Sequence, residues 1–383
     1  MDGARREASV CNVMSKNHLR FGSFFLVVRC AFSRLLRGKA EKVVEKPRTI
    51  AVANFTTNLG DMIMATPVFR AIKAAHPGCR VIVIGGGKNG ELLAGNKDID
   101  HYISASDFSS ALAEVRKEKP DMGVALNPSP QEVALLYLGG CRGIATFIHE
   151  GFGSRAFRAL SSLVLNVSWK TGEYVPLQNL KLLAALGIRS SDTVKYLAVD
   201  PATVSKVKAH IGAKGPLLVV SPDAGQDYRE WPLERFAAVA AHARTAYGAS
   251  IAFAGGPNAK EMCRRFTELC GAPVFDGTGQ TIEELKALVS FATAVVSNDS
   301  GIAYIAEAFG IPAVIVAGVA DPKEHPQGSS RAEVIVPQRM EYVLHAKVSD
   351  VSMVDSEEAR SQMASIPVGA VLDAVDKVFK KRG

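Results

Sequence analysis

Beyond residue 48 the chain alternates between two hydrophobic periods. Short unbroken apolar runs are followed by longer stretches whose apolar positions recur three and four residues apart. Runs that are apolar on both faces mark strands buried in a parallel sheet, and the intervening period is that of the helices covering it. In the first half the pattern predicts strands at Thr49–Asn54, Arg80–Ile84, Ile99–Ile103 and Met122–Leu126. Helices are expected at Met62–Ala75, Gly90–Ala94 and Ala111–Lys117. The second half repeats the scheme, with strands at Pro216–Ser221, Ser250–Ala254, Pro273–Phe275, Ala294–Ser297 and Pro312–Val316. Its helices are expected at Pro232–Tyr247, Lys260–Cys270, Glu283–Phe291 and Ile302–Phe309. Two doubly wound halves predict an α/β fold of two facing Rossmann-like domains with a cleft between them. The boundary is expected near residues 189–200, after a helix at Leu177–Leu186. This divides the 383 residues into a leader (1–48), an N-terminal domain (49–195) and a C-terminal domain (196–383).

The leader follows neither period cleanly. Phe21–Leu36 is apolar but interrupted by Arg29 and Arg34, too short and too charged to cross ~30 Å of hydrocarbon. Arg-rich sequence follows it, where a signal peptide would have a small-residue cleavage site. It reads either as an interfacial amphipathic helix, with Arg20, Arg29, Arg34 and Arg37 on anionic lipid, or as a helix packed on the protein or an unstructured tail.

Charge sets the leader apart as well. Residues 1–48 hold eleven Lys/Arg and four Asp/Glu, which accounts for the whole net charge of +7. The rest is balanced at 34 of each sign, which argues against a nucleic-acid partner. The six cysteines (Cys11, Cys30, Cys79, Cys141, Cys263, Cys270) form no CxxC pair and have no histidines at metal spacing. A zinc site or disulfide framework is therefore not expected, and a reducing cytosol suits the chain.

Candidate chemistry gathers where strands run into helices. Asp61 follows the first strand, where an open α/β sheet binds ligands, and reads either as a helix cap or as a functional carboxylate. Gly60 before it allows close approach or an unusual φ. Gly85–Gly90 matches G-x-G-x-x-G but follows the second strand, so a glycine-rich turn is the better reading than a nicotinamide site. Asp98-Ile-Asp100 spells a D-x-D, read as a metal site or as carboxylates on a solvated loop. In Ser221–Phe236 the Ala224 and Gly225 amides could form an anion nest, and Arg229 a bidentate phosphate clamp. Trp231 would anchor the next helix, with Pro232 in its first turn. In Ser297–Pro312 the amides of Ser300 and Gly301 begin a helix, a phosphate site by construction. Asp299 beside them reads as an N-cap or as a partner for sugar hydroxyls.

Three of these stretches, taken in order, resemble glycosyltransferase family 9, the lipopolysaccharide heptosyltransferases. They are Leu59-Gly-Asp-Met-Ile-Met-Ala-Thr-Pro-Val-Phe-Arg-Ala-Ile72, Pro222 through Arg229-Glu-Trp-Pro-Leu-Glu-Arg-Phe236, and Asn298-Asp-Ser-Gly301 through Ala308-Phe-Gly-Ile-Pro312. Gly255-Gly-Pro257 and Thr281-Ile-Glu-Glu-Leu285 fall between the last two, and the similarity spans about residues 49–330.

The resemblance implies a GT-B fold, no metal and no cofactor. The acceptor side, with Gly60, would belong to the N-terminal domain, and ADP-heptose or a related sugar nucleotide to the C-terminal one. Asp61 matches the family's proposed general base, Arg229 the place of a phosphate-binding lysine, and Asp299 an aspartate contacting the donor sugar. Ser300 and Gly301 match the phosphate turn, and Glu261 approximates a ribose-binding carboxylate. Tyr304 stands where the family commonly has histidine, which leaves another sugar nucleotide, another acceptor, or a non-catalytic sugar-nucleotide-binding protein as alternatives. A lipid-linked saccharide acceptor, such as the lipopolysaccharide inner core, would give the leader a purpose at the cytosolic face of a bacterial inner membrane.

Overall fold

The structure, a computed structural model, describes residues 22–149, 153–325, 331–347 and 354–380. Its first sheet holds β1 (Thr49–Asn54), β2 (Arg80–Gly85), β3 (His101–Ser104), β4 (Met122–Ala125), β5 (Gly143–Ile148) and β6 (Leu165–Ser168). They lie in the order β3-β2-β1-β4-β5-β6, and every pairing is parallel. The second sheet holds β7 (Leu217–Ser221), β8 (Ser250–Gly255), β9 (Phe275–Thr278), β10 (Ala294–Asn298), β11 (Ala313–Val316) and β12 (Ala332–Ile335). Its order is β12-β11-β10-β7-β8-β9, again all parallel. Read from β9, this is the order of the first sheet, so the chain builds the same Rossmann arrangement twice. In each sheet the strand order reverses direction between two central strands, β1 and β4 or β7 and β10, and ligands bind beyond the carboxyl ends of such pairs.

The strands expected from the pattern form, with β9 displaced from 273–275 to Phe275–Thr278. The helix expected over 62–75 is two, Leu59–Ile63 and Thr66–Ala75, because Pro67 has no N–H to continue a ladder and starts the second. Pro232 stands at the N-cap of helix Leu233–Tyr247 rather than inside its first turn. The pattern also left unassigned helix Pro130–Gly139, β5, helix Arg155–Ser161 and β6, as well as helices Pro201–Ile211, Ser356–Ala364 and Val368–Lys380. Between the two halves, residues 189–200 carry no regular element.

Of the leader, residues 1–21, with Arg20 and Cys11, lie outside the described residues. A helix over 22–37 packs on the first domain through Leu26 and Cys30, one turn apart and both buried. Arg37 at its end donates to the Tyr137 and Cys141 carbonyls, and the Tyr137 hydroxyl donates to Gly38. No helix among the described residues is long and apolar enough to cross a membrane. The five described cysteines are free and buried.

Candidate functional site

At the first switch point β1 ends in Asn54, and a short loop leads to helix Leu59–Ile63 with Asp61 in its first turn. Asp61 is not the cap; that position is Asn58, which makes no side-chain cap bond. One Asp61 oxygen accepts from Thr56 Oγ1 and Asn58 Nδ2, both at 3.1 Å.

Beneath the loop lies Glu132, fully buried, from helix Pro130–Gly139. Its carboxylate accepts from the Phe55 amide at 2.8 Å, the Asn127 amide at 3.0 Å and Asn127 Nδ2 at 2.7 Å. Asn127 Nδ2 also reaches Asn54 Oδ1 at 2.9 Å, so the ends of β1 and β4 are tied together. Burial pushes Glu132 above the usual carboxylate range, against these donors and the charge of Lys347.

The two motifs that looked like rival sites are structural. A side chain at Gly86 would meet the Thr56 and Phe55 carbonyls at 3.2 and 3.3 Å, and Asn89 Nδ2 donates to Thr56 O at 2.7 Å. The glycine-rich turn therefore buttresses the Asp61 loop. Asp100 takes Lys73 Nζ at 2.6 Å and the Val81 amide at 2.7 Å, at the amino-terminal edge of the sheet.

At the second switch point Asn298 joins two loops. Its oxygen accepts from the Trp231 amide at 3.1 Å and its Nδ2 donates to Pro222 O. Trp231 is core, as expected, its indole N–H on Ile366 O at 3.0 Å. Arg229 and Asp299 face each other, Nη2 to Oδ2 at 2.8 Å. The other Asp299 oxygen accepts from Tyr304 Oη at 3.0 Å, and that hydroxyl also meets His325 Nδ1 at 2.8 Å. Asp299 is thus no cap either; Ser300 holds the N-cap of helix Gly301–Ala308 and leaves its own hydroxyl buried without a partner among the described residues. The Ser221 and Ser297 hydroxyls, cross-strand neighbours on β7 and β10, are in the same condition.

The loop amides singled out as an anion nest are held by carboxylates of their own loop. Asp223 accepts from Gly225 N at 3.1 Å and from Gly256 N at 3.0 Å, and Glu230 accepts from Ala224 N. Burial pushes Glu230 upward. Beside it opens a cavity of about 390 Å³ lined by Pro222, Glu230, Trp231, Met262 and Arg265 among others. Glu261 stands on an exposed helix face, gripped by Arg264 at 2.6 and 2.9 Å.

The two switch points meet. A Cβ on Gly60 would lie 2.9 Å from the Tyr304 ring, and one on Gly301 would lie 3.1 Å from Leu59 Cβ. Gly60 therefore serves close approach, by a tyrosine of the other domain, and its φ is not positive. Tyr304 is buried and its hydroxyl pushed well above the ordinary range, by burial first, then by Asp299 and Asp61. A second crossing is Lys347, whose ammonium donates to Leu126 O and, at 3.4 Å, to Asn179 Oδ1. Sequence reasoning missed Glu132, Lys347 and His325, which no local motif connects to Asp61 or Asp299, and gave Asn298 no role although it lies in the motif of Asp299.

The model of glycosyltransferase family 9 (heptosyltransferase) matches residues 146–350. A lipopolysaccharide heptosyltransferase 3 of Escherichia coli is 25% identical over 286 residues, 68% of this chain and 81% of that protein. A family 9 glycosyltransferase from Veillonella parvula superimposes with a TM-score of 0.73 at 20% identity, covering 87% of this chain and 98% of that one. The E. coli ADP-heptose lipopolysaccharide heptosyltransferase II does so at 0.70 and 16% identity, covering 87% and 99%. The architecture is GT-B, and the chain belongs to glycosyltransferase family 9, the heptosyltransferase family.

Proposed function

We propose that this glycosyltransferase moves heptose from ADP-heptose to a lipid-linked saccharide, such as a lipopolysaccharide core, by a single inverting displacement. The observation that supports this most is the direct meeting of the switch points. Helix Leu59–Ile63, with Asp61, packs on Tyr304, which bonds Asp299, which pairs with Arg229. An acceptor hydroxyl beside Asp61 and a donor beside Asp299 would then be adjacent. Asp61 takes the hydroxyl proton as the oxygen attacks the anomeric carbon, and the bond from that carbon to the diphosphate breaks. The charge released onto the diphosphate is met by Arg229 and the Ser300 and Gly301 amides, the role a divalent ion has elsewhere. For this, Arg229 exchanges Asp299 for a phosphate, which frees one Asp299 oxygen for a sugar hydroxyl. The cavity beside Glu230 falls in the size range of small-ligand pockets and suits the nucleoside. Glu230 is one of three carboxylates lining it, with Asp227 and Glu234.

The leader supports a peripheral place on the membrane. Pinned to the protein by Leu26 and Cys30, it leaves Phe24, Phe25, Phe32, Leu35 and Leu36 more than half exposed among Arg29 and Arg34.

Calorimetry with ADP-heptose, ADP and UDP-sugars in EDTA tests the donor. Binding of ADP-heptose is expected; binding of another sugar nucleotide alone would change the donor, and a strict need for a divalent ion would overturn the metal-free mechanism. Asp61→Asn should lower turnover by 10³-fold or more, on the scale of a lost general base with its positioning, and leave donor affinity intact. Loss of donor binding in that variant would remove Asp61 from the role.

A further inference from the structure

Asp299, Tyr304 and His325 form a chain of hydrogen bonds that starts at Arg229. Asp299 Oδ2 faces Arg229 Nη2 at 2.8 Å, Asp299 Oδ1 faces Tyr304 Oη at 3.0 Å, and Tyr304 Oη faces His325 Nδ1 at 2.8 Å. Counting hydrogens gives this chain a direction. A phenol has one hydrogen and two lone pairs, and a carboxylate paired with a guanidinium has only lone pairs to offer. The Tyr304 hydrogen therefore lies toward Asp299, since otherwise two buried oxygens would face each other at 3.0 Å with no hydrogen between them. Tyr304 Oη can then only accept from His325, so the imidazole Nδ1 carries a hydrogen. Burial first, then Asp299 and Asp61, push the hydroxyl well above the ordinary tyrosine value, so it keeps the hydrogen that it donates.

The imidazole is also firmly seated. His325 ends a turn in which Asp321 O accepts from the Glu324 and His325 amides, both at 3.1 Å. Its neighbour Glu324 is fully buried and accepts from the Gly172 amide of the first domain at 2.7 Å and from the Ala346 amide. Both domains thus fix the backbone that presents His325.

We infer that His325 is a positioning residue for the donor: its Nδ1–H donates to the Tyr304 oxygen and commits the Tyr304 hydrogen to Asp299 Oδ1, which holds Oδ2 toward Arg229 and the donor sugar. This rests on the reading of Asp299 as the partner of a sugar hydroxyl. With Oδ1 committed, Oδ2 alone is left to exchange Arg229 for that hydroxyl. The carboxylate cannot turn both oxygens onto Arg229 without breaking the chain. A hydrogen bond received by a phenol also strengthens the one it gives, so the imidazole tightens the hold on Asp299.

Two measurements test this. Nitrogen NMR of the ligand-free protein with isotope-labelled histidine should show a hydrogen on His325 Nδ1; hydrogen on Nε2 alone overturns the proposal. Calorimetry with ADP-heptose and with ADP reads the consequence. His325→Leu removes the donor and should lower ADP-heptose affinity roughly fivefold, the scale of one hydrogen bond, and ADP affinity less. His325→Asn, whose Nδ2 hydrogens take the place of Nδ1–H, should stay within about twofold of the parent. In a Tyr304→Phe background the two substitutions should bind ADP-heptose alike, because the phenol through which His325 acts is gone. A merely structural histidine would keep the difference between them in that background. That result, or no difference between them in the parent, overturns the proposal. Asp299→Ala separates the two failures. If it lowers ADP-heptose affinity no more than ADP affinity, the reading of Asp299 falls. If it selectively weakens ADP-heptose while His325→Leu matches the parent, only the role of His325 falls.

Discussion

Tyr304 is the side chain through which the two halves of the site touch. Its ring lies on Gly60 and its hydroxyl on Asp299 and His325, so both sides of the cleft depend on one phenol. Tyr304→Phe keeps the ring and removes the hydroxyl, leaving a buried carboxylate short of one donor. That loss costs on the order of 1–3 kcal/mol. ADP-heptose affinity by calorimetry should fall roughly tenfold, because Asp299 would then turn more fully onto Arg229 and compete with the diphosphate. Unchanged affinity would mean that Asp299 does not depend on Tyr304 for its place. Asp61, Arg229 and Asp299 were legible in the sequence because each sits at a strand-to-helix junction that local pattern predicts. His325, Glu132 and Lys347 were not, since each meets its partner across a distant loop and lies in no motif. Glu261 matched only approximately, three residues later than expected after the Gly-Gly-Pro turn. Spacing also says nothing about which face of its helix a side chain takes, and here Arg264 holds it.

Elements were legible where they carried a period and hidden where they carried none. Helix Pro130–Gly139 buries Glu132 through Gly139 without a polar face, so no 3.6-residue alternation marks it, yet it supplies the carboxylate under the Asp61 loop. β6 has the reverse problem: as an edge strand it alternates half-buried and exposed positions over only four residues. The leader's charge pattern, in contrast, did suggest a helix with an unmet apolar face. Its inward contacts are few, Leu26 and Cys30 with the clasp of Arg37 on Tyr137 and Cys141, while most of its phenylalanines and leucines point outward. Replacing Leu35 and Leu36 together by Asp should therefore leave the fold stable within about 0.5 kcal/mol, as for other exposed positions. The same change should lower binding to vesicles of anionic phospholipid by tenfold or more, read by co-sedimentation. Equal sedimentation of both proteins would leave the leader without a membrane role.

The two domains are held together by charges placed where charges are expensive. Lys286, with a fully buried side chain, caps the Glu91 and Leu92 carbonyls of the first domain and pairs with Glu283 in its own. Glu324 accepts from the Gly172 amide at 2.7 Å and from the Ala346 amide, linking the β6 loop to the segment that delivers Lys347. Lys195, in the stretch between the domains, reaches Glu307 Oε1 at 2.6 Å and the Tyr174 hydroxyl, so linker, first domain and second domain close on one ammonium. Glu307 lies one turn beyond Tyr304 on the same helix, which puts this clasp in line with the site. A buried ion pair adds little net stability over apolar packing, but removing one partner strands the other. The Lys195 ammonium, pushed down by burial and drawn back up by Glu307, is bound on that condition. The second Glu307 oxygen already lacks a partner among the described residues, and the first would keep only the Tyr174 hydroxyl, at 3.4 Å. Lys195→Met should thus destabilise the protein by about 3 kcal/mol in urea unfolding. Lys195→Met with Glu307→Gln should recover most of that loss, because no uncompensated charge remains. If the clasp also sets the geometry of the cleft, the double variant regains stability while turnover stays reduced, since helix Gly301–Ala308 no longer has its fixed seat on the linker. A double variant no more stable than the single one would mean that Glu307 was never the charge that Lys195 answers.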